Sequence, residues 1–142
     1  MSTKDFPQEF LRGLSNKDFA INGLVMASAF QFDEADRDDG MLEASINWLD
    51  DDGAIEVALQ QRKENGRIQF VGGVARIDIQ RMKLILQSIP SDMFSHERAE
   101  LPNNPYHGNL LLASSANRQM KQMITNGLAL AAGTNIIPQV NN

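Results

Sequence analysis

The chain has 142 residues, with 13 basic and 18 acidic side chains, no cysteine and a net charge of −5 at neutral pH. Lack of thiols excludes disulfides, thiol catalysis and thiolate metal ligation, and a pI near 4.9 argues against binding a phosphate backbone, which needs clustered Lys and Arg. No run approaches the roughly twenty apolar residues of a membrane span, residues 1–7 lack the apolar stretch of a secretory leader, and the expectation is one globular cytoplasmic domain over residues 1–142.

Residues 5–14 read as a short helix. Asp5 can cap it, Pro7 suits its first turn, and Phe6, Phe10, Leu11 and Leu14 fall on one face. Residues 24–32 read as a strand with Leu24, Met26, Ser28, Phe30 and Phe32 at period two. A cleaner alternation follows. Leu42, Ala44, Ile46 and Trp48 point one way; Glu43, Ser45 and Asn47 point the other. These two runs are expected to form an antiparallel hairpin with an acidic tip ending at Gly40.

Asp50, Asp51 and Asp52 then introduce a helix over 54–64, stopped by Asn65-Gly66. A strand is expected over 67–77, with Gly72-Gly73 marking a bulge or a close backbone approach. Asp78 can cap a helix over 79–88 that ends before Pro90. Residues 91–105 read as a long loop, and 108–113 as the last strand. Ser115 is the expected cap of the best helix, where Met120, Met123, Ile124, Gly127, Leu128 and Ala131 recur at helical spacing and Gly133 ends the run. Its small residues leave a homodimer open. Residues 134–142 read as a partly disordered tail. The order α-β-β-α-β-α-β-α predicts an α+β fold, with a mixed, mostly antiparallel sheet of about four strands and helices packed mainly on one side.

Charge is the least even feature. Residues 33–52 carry nine of the eighteen carboxylates against one base, Arg37, so this segment is −8 while the remainder sums to +3. An EF-hand register started at Glu34 places Asp39 where glycine belongs and Ser45 where the twelfth-position Glu belongs. The two histidines, His96 and His107, lack a recognised metal-ligand spacing, so no metal and no cofactor is expected. The loop acids Asp33, Glu34, Asp36, Asp38 and Asp39 are a candidate contact surface for a basic partner, while Asp50 to Asp52 have a duty as helix-capping charge.

Tyr106 and His107 sit where a long loop enters a strand, and could serve as acid and base. Arg12, before Gly13, could clamp an anion, and Glu97 adds a carboxylate near His96. No phosphate-binding glycine loop or nucleophile motif accompanies them. Two functions are therefore expected in order. The first is a bacterial-type, non-enzymatic interaction protein (an inhibitor, antitoxin-like regulator or assembly subunit) that uses its acidic surface on a basic protein partner. The second is a small enzyme for a phosphate- or nucleotide-bearing substrate, with Arg12, His107, Tyr106 and Glu97 in one cleft.

Overall fold

The alternation over Leu42, Ala44, Ile46 and Trp48 becomes strand β4 (Leu42–Trp48), with Ala44, Ile46 and Trp48 almost fully buried. It is the third strand of a sheet in a computed structural model that describes residues 6–139. Around it lie β1 (Glu9–Gly13), β5 (Val74–Asp78), β6 (Phe94–Arg98), β7 (His107–Leu112) and β8 (Ile136–Ile137). Among the described residues these six strands run in the order β6-β7-β4-β1-β5-β8, with antiparallel neighbours throughout. Two short strands, β2 (Ala20–Ile21) and β3 (Leu24–Val25), pair separately. Three helices complete the described chain: α1 (Gly53–Gln60), α2 (Ile79–Ile85) and α3 (Arg118–Ala132). The fold is α+β with a mostly antiparallel sheet, of six strands rather than about four.

The added strands have definite causes. The expected N-terminal helix is instead β1, while Asp5 lies outside the described residues. Phe10 and Leu11 are adjacent and both essentially inaccessible. Phe10 joins the core under α2 and α3, and Leu11 joins a second core under α1. A strand buried on both faces loses its polar alternation and can mimic helical spacing. Residues 94–98, expected within a loop, form β6 against β7. The tail contributes β8, which pairs Ile136 and Ile137 with Ala75 and Val74. Gln139 Nε2 donates to the Leu59 and Phe70 carbonyls, both at 2.9 Å.

The expected strand over 24–32 is correspondingly short. It stops at Val25, and a 3-10 turn at Ala27–Ala29 follows. Only one bridge, Asp33 to Glu43, remains of the expected hairpin. The strand expected from residue 67 begins at Val74, after Gly73 turns the chain with φ 85°. A side chain on Gly73 would overlap the Ile137 carbonyl. Thus the Gly72-Gly73 pair marks a close approach of β8.

The helices cover both faces rather than mainly one. α2 and α3 bury Ile79, Met82, Ile124 and Leu128 against the large core that includes Phe10, Ile46, Trp48 and Leu110. α1 packs Ala54, Ala58 and Leu59 onto Leu11 and Val74 on the opposite face. Burial of each large side chain contributes roughly 1.5–3 kcal/mol. Asp78 caps α2 as expected, accepting from the Arg81 N–H at 3.0 Å. Asn117, not Ser115, caps α3 by accepting from Met120 N–H at 2.8 Å. Gly133 ends α3 with φ 58°. On α3, Met123 and Leu130 remain exposed. Among the described residues, no helix is long and apolar enough to cross a membrane.

With only eight residues, α1 leaves part of its sheet face uncovered. The polar side of β4 (Glu43, Ser45 and Asn47) and His107 of β7 become the floor of an open cleft there.

Candidate functional site

The cleft has a volume of about 740 Å³ and is lined mainly by polar groups. β1 and β4 pair only at Phe10–Trp48 and Leu11–Asn47. Beyond that point Arg12 bridges the parted chains. Its Nε donates to the Ala29 carbonyl at 2.9 Å and its Nη1 to the Ser45 carbonyl at 2.7 Å. Arg12 has no ion pair among the described residues. Burial pushes its pKa down to about 10, partly offset by the charge of Asp33. Arg12 therefore substitutes for the missing ladder bonds, a duty the sequence did not reveal.

His107 also lines the cleft. Its Nδ1 lies 2.8 Å from the Ala99 carbonyl. A carbonyl can only accept, so Nδ1 carries the proton and Nε2 is an acceptor in the neutral ring. Asn47 stands beside it as its partner across β4 and β7. Asn104 Nδ2 donates to Asn47 Oδ1 at 2.7 Å, and Asn104 Oδ1 accepts from Tyr106 N–H at 3.1 Å. Asn47 and Asn104 are buried, unlike most polar side chains.

The expected four-residue centre does not assemble. Arg12 and His107 share the cleft, but Tyr106 and Glu97 are not among its lining residues. Tyr106 instead donates from its hydroxyl to Asp51 Oδ1 at 2.7 Å, which raises the tyrosine pKa. Tyr106 lies in the turn just before β7 and packs against the α1 cluster, where its hydroxyl is taken by Asp51. Glu97 is held by Arg37 and by Asn109 Nδ2 at 2.8 Å. The hydrogen bond from Arg37 holds the Glu97 carboxyl below the usual range.

The acidic loop divides as well. Arg37 pairs with Asp39, Glu43 and Glu97 at 2.9, 2.7 and 2.6 Å. Those bonds push the Asp39 carboxyl down to about 2, and they raise the Arg37 pKa. Asp33 and Glu34 line the cleft and have no ion pair among the described residues. Asp36 and Asp38 are exposed outside it.

The second acidic group has three separate duties. Asp50 forms a two-point pair with Arg98, at 2.9 and 2.6 Å. Asp51 accepts from Tyr106 and from Gly53 N–H. Asp52 holds the N-cap position of α1 without a side-chain cap bond. Among the described residues, no three His, Asp or Glu side chains are grouped to hold a metal ion.

Residues missed by sequence reasoning are Asn47 and Asn104. The polar side of β4 was visible in the alternation, but its role as a cleft floor depended on how far α1 reaches. No family model, no curated protein and no solved structure matches the chain.

Proposed function

We propose that the protein is a non-enzymatic interaction domain that receives a basic segment of a partner protein in the cleft beside α1. One observation carries this reading: Asp33 and Glu34 line the cleft without an ion pair among the described residues, although Arg37 pairs with three neighbouring carboxylates. A Lys or Arg of the partner would pair with these two carboxylates in a cleft that Arg12 and Arg62 also line, and the exposed Asp36 and Asp38 would steer its approach. Such a domain would act as an inhibitor, an antitoxin-like regulator or an assembly subunit, in a reducing cytoplasm where cysteine is dispensable.

The test is titration with a blocked tetralysine peptide at low and high salt. Salt-sensitive binding that is lost when Asp33→Asn and Glu34→Gln are combined supports the reading. Binding indifferent to both salt and these substitutions contradicts it.

Arg12 and His107 sharing a cleft favours, as a second reading, an enzyme for an anionic substrate. It is the weaker reading because Arg12 already satisfies two carbonyls and Asp33 and Glu34 would repel a phosphate. Inorganic phosphate that binds in competition with tetralysine, and is lost on Arg12→Met, would reverse that ranking.

A further inference from the structure

The backbone fixes the hydrogen-bonding character of two neighbouring cleft residues. Tyr106 N–H is an obligatory donor, so the atom of Asn104 facing it is the oxygen. Asn104 must then turn its NH₂ toward Asn47, and Asn47 must answer with Oδ1. Asn47 Nδ2 is left as a donor without a partner among the described residues. The Ala99 carbonyl fixes His107 in the same way, leaving Nε2 as an acceptor. Its other ring nitrogen has no partner among the described residues.

These two groups are directly opposed across β4 and β7. Trp48 N–H donates to the Tyr106 carbonyl, which makes 48–106 a hydrogen-bonded position. The adjacent pair Asn47–His107 is therefore of the non-hydrogen-bonded kind, in which side chains lie closest, with Cα atoms about 4.5 Å apart. A fixed donor and a fixed acceptor thus stand side by side on the cleft floor.

In an extended peptide, the N–H and C=O of one residue leave on the same side. We infer that Asn47 and His107 grip the main chain of an extended basic segment, with Asn47 donating to its carbonyl and His107 Nε2 accepting from its amide. This inference rests on the proposed function and adds the mode of recognition: main-chain contacts give affinity regardless of sequence, and Asp33 and Glu34 select a basic side chain. A nucleobase edge offers a similar pair of groups, but the same two carboxylates disfavour the phosphate that a nucleotide brings.

The experiment uses the intact protein and a blocked tetralysine peptide, N-methylated at one main-chain amide at a time. Methylation removes the donor and leaves the charge. One position should weaken binding about tenfold, the size expected for one lost hydrogen bond in a closed site. The same methylation should have no further effect on His107→Asn, which keeps a side-chain N–H for Ala99 and, being shorter, leaves no acceptor at the position of Nε2.

Uniform tolerance of methylation, with salt-sensitive binding intact, overturns the main-chain grip and leaves the basic-segment reading standing. Absence of binding by the unmodified peptide overturns both. Adenosine or cytidine binding more tightly than the peptide, and competing with it, also overturns the inference.

Discussion

Arg37 and Glu97 lie sixty positions apart and form a two-point ion pair: Nη1 donates to Oε2 at 2.6 Å and Nη2 to Oε1 at 3.1 Å. The pair fastens the acidic loop, which contributes Asp33 and Glu34 to the cleft, onto β6. Arg37→Met should lower stability by about 1–2 kcal/mol, toward the low end because the groups are partly exposed. Glu97 and Asp39 bind protons more weakly in the folded protein than in the unfolded chain, Asp39 with a pKa of about 2. Their contribution is therefore present above about pH 5 and fades as the pH falls through about 4 toward 2. Urea unfolding across that range should show a shallower loss in Arg37→Met than in the native protein.

His96 sits among rings, 4.6 Å from Phe6 and 5.2 Å from Trp48 between centroids, and its Nδ1 is buried without a hydrogen bond. Burial, aided by the charge of Lys83, lowers its pKa below 6.5. The unfolded chain then takes up the proton more readily, so stability falls as pH drops through about 6.5. His96→Phe should remove that loss. Thermal unfolding at pH 7.5 and 5.5 checks it, since the variant should melt at nearly the same temperature at both.

The three consecutive aspartates should respond unequally to neutralisation. Arg98 is 5% exposed and Asp50 17%, so Asp50→Asn removes the two-point charge-assisted bond of a largely buried cation and should cost about 2 kcal/mol. Asp52→Asn removes an exposed charge without a side-chain cap bond and should stay within about 0.5 kcal/mol. Chemical unfolding of the two variants in one buffer measures the difference.

Tyr106→Phe and His107→Asn together test which side of the 106–107 pair belongs to the binding cleft. The hydroxyl is committed to Asp51 and is not part of the cleft. Tetralysine affinity should therefore remain within about twofold of the native value, whereas His107→Asn should weaken it about tenfold. Isothermal titration of both variants decides the matter.

How legible these features were depended on where their partners lie. β4 announced itself because one face is apolar and the other polar over seven residues. Asp78 and Gly133 marked helix ends through local chemistry. β1 did not, because Phe10 and Leu11 are buried on opposite faces. β6 was hidden for another reason: Ser95, His96, Glu97 and Arg98 look like a loop until Trp48, Arg37 and Asp50 supply their partners. The Trp48 indole N–H reaches the Glu97 carbonyl at 3.1 Å above Gly108, where a side chain would overlap both groups.

For the site, residue type flagged Asp33, Glu34, Arg12 and His107, and only the alternative enzyme reading required Arg12 and His107 to share a cleft. Asn47 carried no signal, because its free donor exists only once Asn104 and Tyr106 have fixed the direction of its amide.

The most direct test of the basic-segment reading is residue-resolved: tetralysine titrated into ¹⁵N-labelled protein, followed by amide chemical shifts. The account predicts concentration-dependent shifts centred on Asp33, Glu34, Asn47 and His107, reversed by added salt. Shifts confined to residues outside the cleft, or none at millimolar peptide, would contradict it.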